Sequence, residues 1–216
     1  MPFPPLMNSA AAKLCRQAIT DRSTTGVAQS MIGGATILEF APDKIGTIEA
    51  GIALARICLG AAGRVNVGET IDGESGAGPL IHVEIDQPLA ACMGCQYAGW
   101  PLSAGKYFAM ASGPIRLLRG KEKVLTEYSL SQTDSAAVVV LETAKTPDES
   151  VVDAICKDAN VAAEQLSICV ARTSSIPGSL QVVARSVETA MHKLHELHFD
   201  LTTITRGVGS APLPPK

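Results

Sequence analysis

The chain has 216 residues, of which 46% are hydrophobic and 18% are charged, and its formal net charge is −3. This composition is too apolar for a disordered chain, and the length suits one large domain or two small ones. The weak negative charge argues against a nucleic-acid or anionic-membrane binder, because both need a clustered basic surface. No apolar run reaches the roughly 20 residues of a membrane span, and the first residues lack a signal-peptide pattern. We therefore expect a cytoplasmic protein with reduced cysteines.

Hydrophobic periodicity and turn residues divide the first half of the chain into short helices and strands. Asn8 and Thr47 are placed to cap the first two helices, because each side chain can accept a hydrogen bond from a free backbone N–H. Gly33-Gly34 separates two strand-like runs and predicts a hairpin. The composition of residues 71–79 predicts a loop. The predicted elements are helix 9–21, strands 27–31 and 35–40, helix 48–59, and strands 64–68 and 80–85.

Residues 88–116 have no sustained hydrophobic period, and they contain the single Trp and two of the three Tyr. Small residues among aromatic and polar groups suit the lining of a ligand site, and they also suit a tightly packed core. Cys92 and Cys95 form a lone CxxC motif. Redox or metal chemistry is one interpretation, but a structural zinc site needs four ligands and no second CxxC exists, so buried thiols are favoured. The backbone N–H groups of residues 111–116 could bind an anion, or simply start a helix.

The second half of the chain alternates strands and helices, which indicates an α/β or α+β fold. Apolar runs predict buried strands over 136–143 and 166–171. Thr146, Pro147 and Glu149 predict a helix start with a capping box, and that helix runs to about Ala159. The predicted remainder is a polar loop over 172–179, a long helix over 180–197, and an irregular end over 211–216. The polar run near residues 120–133 suggests a domain boundary.

The predicted long helix carries Arg185, Glu188 and His192 at spacings of three and four residues, which places them on one side of a helix. A surface ion pair is the ordinary interpretation of such spacing and is favoured on spacing alone. The alternative is a carboxylate base oriented by a guanidinium at the mouth of a cleft. His192, His195 and Glu196 match neither common zinc-protease pattern, so a metal site there is weakly indicated.

Several segments together resemble the methenyltetrahydromethanopterin cyclohydrolase family, in the family's order and over most of the chain from about residue 45 on. QYAGW, the KYFAM run and the ARxxE helix are each distinctive. The matching phrases are GTIEAGIALARICLG (46–60), LAACMGCQYAGW (89–100), KYFAMASGPIR (106–116), VVVLET (138–143), SIPGSLQVVARSVETAMHKLHELHFD (175–200) and GVGSAPLPP (207–215).

The resemblance implies an enzyme of one-carbon metabolism that reversibly hydrolyses 5,10-methenyltetrahydromethanopterin to 5-formyltetrahydromethanopterin, without a metal or prosthetic group. It serves either methanogenesis or formaldehyde oxidation. The family's catalytic residues fall on Glu188, as general base and acid, and on Arg185, which orients it. This reverses the preference drawn from spacing alone. Candidate contacts to the pterin substrate, chosen by motif position and residue type, are Gln96, Tyr97, Lys106, Ser112 and Gly113.

The resemblance further implies an α/β protein of two domains with the pterin in the cleft between them, assembled as a homo-oligomer such as a trimer. We expect an N-terminal domain over 1–125 with the pterin-site loops, and a second domain over 126–216 with the catalytic helix. Family members continue past the APLPP segment, so the second domain is expected to be incomplete here. Two alternatives to the enzyme follow: a catalytically impaired pterin-binding protein, and a thiol or metal protein that uses Cys92 and Cys95.

Overall fold

The computed structural model of the chain describes residues 6–70 and 78–214, with Thr70 described by its backbone. Most of the predicted loop over 71–79 lies outside these residues. The strands are β1 Ala28–Ile32, β2 Ala35–Glu39, β3 Gly63–Thr70, β4 Pro79–Ile85, β5 Trp100–Ala104, β6 Tyr107–Ser112, β7 Ala137–Glu142, β8 Leu166–Ala171 and β9 Gly207–Pro212. They form a six-stranded sheet of order β1-β2-β8-β7-β6-β5 and a three-stranded sheet of order β3-β4-β9.

Helices cover the sheets, so the predicted mixed α and β class is confirmed. None of the described helices has both the length and the apolar composition that crossing a membrane requires. The helices are α1 Met7–Thr20, α2 Arg22–Thr25, α3 Ile48–Cys58, α4 Ile115–Arg119, α5 Lys123–Glu127, α6 Glu149–Ala159, α7 Ile176–Val183 and α8 Ser186–Glu196, with a π-helix at Leu89–Gln96 and 3-10 turns at Ala163–Gln165 and Leu201–Thr203.

The centre of the large sheet is apolar on both faces because helices pack on both sides of it. Strands β2, β8 and β7 run parallel to one another, and the outer pairs are antiparallel. Val139 and Leu141 of β7 pack in a cluster with α6, whereas Val138 and Val140 pack in a second cluster with α1 and α3. Alternate side chains of a strand point to opposite faces, so a strand buried on both sides must be apolar throughout. The predicted buried strands are confirmed on this basis.

The turn at Gly33-Gly34 and the cap at Thr47 are confirmed, but two predicted caps are wrong. The Thr47 hydroxyl accepts a hydrogen bond from Ala50 N at 3.1 Å. Asn8 lies inside α1, fully buried, where its amide donates to Pro114 O at 2.8 Å and accepts from Val138 N at 2.9 Å. Its two hydrogen bonds therefore tie α1 to the sheet.

The second misplaced cap is at the start of α6. Asp148 caps this helix by accepting from Val151 N at 3.1 Å. The Thr146 hydroxyl instead donates to the carboxylate of Glu39, at the end of β2. Asp148 directly precedes the helix, so its carboxylate can accept from the free backbone N–H groups of the first turn, whereas Thr146 lies two residues further back.

The predicted long helix over 180–197 is wrong, because the chain forms two helices that meet at Ala184 and Arg185. The first of them, α7, begins inside the predicted loop, where the Ser175 hydroxyl accepts from Gly178 N at 3.1 Å. Gln96 of the π-helix donates its side-chain amide to Ala184 O at 3.1 Å. In an unbroken helix that carbonyl would accept from the N–H of Glu188, four residues later. The Gln96 amide therefore occupies the carbonyl at which the helix breaks.

Both sheets contain strands from either side of residue 125. The large sheet combines β1, β2, β5 and β6 with β7 and β8, and the small sheet combines β3 and β4 with β9. A division of the chain at residues 125 and 126 therefore does not separate the sheets. Strand β9 also extends through Pro212, so the first residues of the predicted irregular end belong to a strand. Proline is compatible with this position because β9 is an edge strand.

Candidate active site

A largely buried arginine, Arg185, lies where the end of β7 meets the break between α7 and α8. The Nη2 atom of Arg185 forms an ion pair with the carboxylate of Glu142, the last residue of β7, and their side chains are only 13% and 18% exposed. The same nitrogen lies 3.5 Å from the hydroxyl of Ser112. Ligands in α/β proteins commonly bind outside the carboxyl ends of parallel strands, and Glu142 ends such a strand. This position makes the cluster a candidate active site.

Ser112 joins this cluster to α3 and α7. It is fully buried, and its hydroxyl lies 3.3 Å from the thiol of Cys58, which also accepts from the Gln181 amide at 3.3 Å. Burial raises the pKa of the Cys58 thiol, so this group is a neutral partner at physiological pH. The predicted residue Ser112 thus lies beside Arg185, where it is part of the packing that holds the guanidinium.

Glu188 lies in the first turn of α8, with 6% of its surface exposed. Burial raises its pKa, because the ionised carboxylate loses its hydration, and the nearby Arg185, His192 and Arg116 charges offset part of this effect. No ion pair within 4.0 Å involves Glu188 in the part of the chain that the structure describes. The surface ion pair that the spacing of Arg185 and Glu188 suggested is not formed, and Arg185 binds Glu142 instead. Arg185 influences Glu188 through space.

Tyr97, the second predicted contact, stacks on His192 with the ring centroids 5.0 Å apart. The guanidinium of Arg116 lies 5.3 Å from the Tyr97 centroid. Tyr97 and His192 both face a cavity of about 320 Å³, and His192 is one helical turn beyond Glu188. The residues around this cavity are Met93, Tyr97, Gly99, Glu122, Lys123, Val124, His192 and His195.

Gln96 is fully buried, and its amide holds the break between α7 and α8 as described above. Its side-chain oxygen has no hydrogen-bond partner among the described residues. The π-helix that carries Gln96 was not predicted, since an extra residue per turn gives these side chains no 3.6-residue period. Gln96 therefore contributes to the site by setting where α8, with Glu188, begins.

Lys106 lies away from this cluster, whereas Gly113 directly follows Ser112 and has a backbone role. Lys106 is exposed in the turn between β5 and β6, six residues before Ser112, which corresponds to about 20 Å along a strand. Gly113 adopts a φ of +97°, and a Cβ there would lie 3.1 Å from Val138 O and 3.2 Å from Val140 N. Glycine is needed here because the backbone approaches β7 closely.

The backbone at residues 111–116 does not offer the exposed N–H groups expected for an anion site. Its residues are buried, and the N–H of Gly113 donates to Cys95 O at 2.8 Å. Cys92 and Cys95 are themselves buried in the π-helix, and burial raises the pKa of both thiols. A reactive or metal-binding cysteine needs an accessible thiolate, so this environment favours the interpretation as packed thiols.

Sequence analysis missed Glu142 and Arg116. Glu142 ends the otherwise apolar run AVVVLE, and a carboxylate at the end of a buried strand is a recognisable signal for a site. Arg116 ends the segment KYFAMASGPIR, and it is fully buried and donates to Met93 O and Gly94 O at 2.9 and 3.1 Å. Nothing in its sequence context distinguishes it from the partly exposed Arg119 three residues later.

Known proteins are similar to this chain over most of its length. The model of a family described as Cyclohydrolase (MCH) matches residues 6–216. A methenyltetrahydromethanopterin cyclohydrolase from Rhodopirellula baltica is 47% identical over 188 residues, which are 85% of this chain and 56% of the relative. The corresponding protein of Methanosarcina mazei is 45% identical over 84% of this chain and 57% of the relative.

A third relative of the same name, from Methylobacterium nodulans, is 38% identical over 98% of this chain and 64% of its own length. The chain thus spans between 56% and 64% of the length of these three relatives. Because the family match covers nearly every residue, and relatives at 38–47% identity cover 84–98% of the chain, this protein belongs to the Cyclohydrolase (MCH) family.

Proposed function

We propose that the protein hydrolyses the methenyl bridge of 5,10-methenyltetrahydromethanopterin to give the 5-formyl compound, with Glu188 as the general base and acid. The similar proteins carry this activity in their names. The observation that supports it most in this chain is Glu188 itself. It is a buried carboxylate with a raised pKa, beside a guanidinium that is bound elsewhere. A base whose pKa approaches the working pH is the better proton acceptor and donor.

The chemistry suits such a site because the substrate is already an electrophile. The N–C–N carbon of the methenyl bridge carries a delocalised positive charge, so a water molecule can add to it without a Lewis acid. Glu188 accepts a proton as the water oxygen bonds to that carbon. The protonated carboxyl then returns that proton to the departing ring nitrogen as the carbon–nitrogen bond breaks, and the hydroxyl proton of the adduct is released to water as the formyl C=O forms. The proposal accordingly includes no metal or prosthetic group.

Arg185 contributes through its charge, which opposes the effect of burial on the pKa of Glu188. The two effects must balance. If the pKa of the carboxyl were too low, the carboxylate would not take a proton from water. If its pKa were too high, the carboxyl would stay protonated. Gln96 and Ser112 act in this proposal by holding the elements that carry Glu188 and Arg185. Tyr97, at the cavity wall, is the remaining candidate for direct substrate contact.

The test is the loss of the methenyl absorbance when the chain is mixed with 5,10-methenyltetrahydromethanopterin, against a blank without protein. We expect turnover by the wild-type chain and a fall of at least about 100-fold in kcat for Glu188→Gln, with substrate affinity retained. The matched control is Glu196→Gln, at the exposed end of the same helix, which should leave kcat unchanged.

Two outcomes would contradict the proposal. Full activity in Glu188→Gln would exclude this carboxylate as the base. Substrate binding without turnover in the wild-type chain would favour a pterin-binding protein. Homo-oligomer formation and a cytoplasmic location remain part of the proposal, and size-exclusion chromatography with light scattering tests the first of them.

A further inference from the structure

We propose that Glu142 is a positioning residue, which binds the Arg185 guanidinium at the end of β7 and keeps this cation from forming a contact ion pair with Glu188. This inference rests on the proposed function of Glu188 as the base. It assigns a role to a carboxylate that does not itself touch the reacting atoms. Its basis is that Arg185 binds Glu142 and forms no ion pair with Glu188 among the described residues, although its charge acts on Glu188.

Arg185 is near enough to Glu188 for its charge to act on that carboxylate, but the structure shows it bound to Glu142. Glu188 follows Arg185 by three residues, a spacing at which side chains on a helix can pair. Arg185 nevertheless directs Nη2 to Glu142 and to the Ser112 hydroxyl. The pair with Glu142 is only 13% and 18% exposed, so water competes weakly for either group. Arg185 lies outside the regular turns of both helices, at the cap of α8, which lets its side chain turn toward β7.

Glu142 is suited to hold a cation because its backbone is fixed. It is paired with Met110 of β6 and with Ala171 of β8, inside a sheet covered by helices on both faces. A carboxylate on such a strand has little freedom, whereas the Arg185 side chain is long and adaptable. Functional groups held by rigid elements keep their geometry more accurately than groups on loops. Glu142 therefore determines where the guanidinium lies.

The consequence concerns the strength of Glu188 as a base. A contact pair between Arg185 and Glu188 would stabilise the carboxylate strongly and would occupy the oxygens that a water molecule must reach. The groups that act on the Glu188 pKa are Arg185 at the break, His192 on α8, Arg116 on α4 and Glu142 on β7, and the Cys92 thiol of the π-helix interacts with it in turn. Of these, Glu142 is the one that both raises the Glu188 pKa by its own charge and binds Arg185, the cation that lowers that pKa most.

The experiment compares Glu142→Gln with the wild-type chain by two measurements. The first is the titration of the Glu188 side-chain carboxyl, followed by NMR in protein labelled with 13C at that carbon. The second is the pH profile of kcat. In Glu142→Gln we expect the Glu188 midpoint and the acidic limb of the profile to move to lower pH together. We also expect kcat to fall by about tenfold or more, with a much smaller change in KM. Glu142→Asp keeps the charge and should restore both toward wild type.

A purely structural role would give a different result. It would lower the stability of Glu142→Gln and leave the Glu188 midpoint in place, and that result would overturn the proposal. The matched control is Glu84→Gln, which removes a partly buried carboxylate paired with Arg64 in the small sheet and should leave the Glu188 midpoint unchanged. The NMR titration needs no turnover. A chain that fails as a cyclohydrolase can therefore still support or overturn this inference.

If Glu142→Gln does not fold, the proposal can be tested on the wild-type chain by NMR of Arg185. Side-chain 15N signals of Arg185 report whether its guanidinium is held. We expect them to be resolved at pH values both below and above the Glu188 midpoint, because Glu142 holds the group throughout. Signals that become resolved only as Glu188 ionises would show that Arg185 binds Glu188, and the proposal would fail.

Discussion

Two arginines on one short helix provide a sharp test of the packing around the site. Arg116 and Arg119 are three residues apart on α4, and both contact the carboxylate of Glu122, at 3.1 and 3.2 Å. Arg116 is fully buried and also donates to Met93 O and Gly94 O, near the end of the π-helix. Arg119 is 15% exposed and pairs with Asp158 as well. We expect Arg116→Met to cost far more stability than Arg119→Met.

The magnitude follows from what each change leaves behind. Methionine keeps most of the volume, so the main loss in Arg116→Met is polar. Two buried carbonyls near the end of a helix lose their donor, at about 1–3 kcal/mol each. Breaking a buried ion pair by removing one partner costs about 3–5 kcal/mol in other proteins. Glu122 would still be paired with Arg119, so the full cost of a broken ion pair does not apply. We therefore expect Arg116→Met to lower the free energy of unfolding by about 4 kcal/mol in total. Arg119→Met leaves Glu122 paired with Arg116 and removes the pair with Asp158, whose side chain is 30% exposed, so we expect a loss of about 1 kcal/mol.

The assay is urea unfolding followed by circular dichroism. With a slope of about 2 kcal/mol per molar urea, Arg116→Met should lower the midpoint by about 2 M and Arg119→Met by about 0.5 M. The slopes should agree among the three proteins, so that midpoints can be compared. Equal midpoint shifts, or a shift below about 0.5 M for Arg116→Met, would refute the assignment of a structural role to the buried guanidinium.

Three further changes test single features of the site. Glu188→Gln should be more stable than wild type at neutral pH and equal to it in acid. A raised pKa means that the stability contribution of Glu188 is complete below its unfolded pKa and is lost as pH rises through the folded pKa; urea midpoints across this range check the sign. Gly113→Ala should lower the unfolding free energy by about 1–3 kcal/mol, measured in the same way, because of its φ of +97° and its contact with β7. Gln96→Leu should change the free energy of unfolding by less than about 1 kcal/mol, because it removes one hydrogen bond and one unpartnered buried oxygen. It should nevertheless lower kcat at least about tenfold, because the break before α8 moves.

Local patterns were sufficient to predict much of the framework. The apolar runs of β7 and β8 predicted strands buried on both faces, and Gly33-Gly34 predicted the hairpin between β1 and β2. These features depend on side chains within a few residues of one another, so the sequence displays them directly. The family was also evident from the sequence, because its distinctive phrases are contiguous, and the family match confirmed it.

The arrangement of the candidate site depends on contacts between distant parts of the chain. Gln96 binds the carbonyl of Ala184 across 88 residues, and Arg185 binds Glu142 across 43. The helix pattern through residues 180–197 is continuous in sequence, so no local signal predicts its break. The pairing of Arg185 with Glu142 likewise depends on where folding places the end of β7 relative to the break between α7 and α8.

The sequence by itself therefore determined the family, the buried strands and the residue types of the site. Only the tertiary structure decided which carboxylate binds the guanidinium and which remains unpaired. The physical reason is that charge pairing and burial depend on distances in space, and folding brings together groups that the sequence keeps far apart.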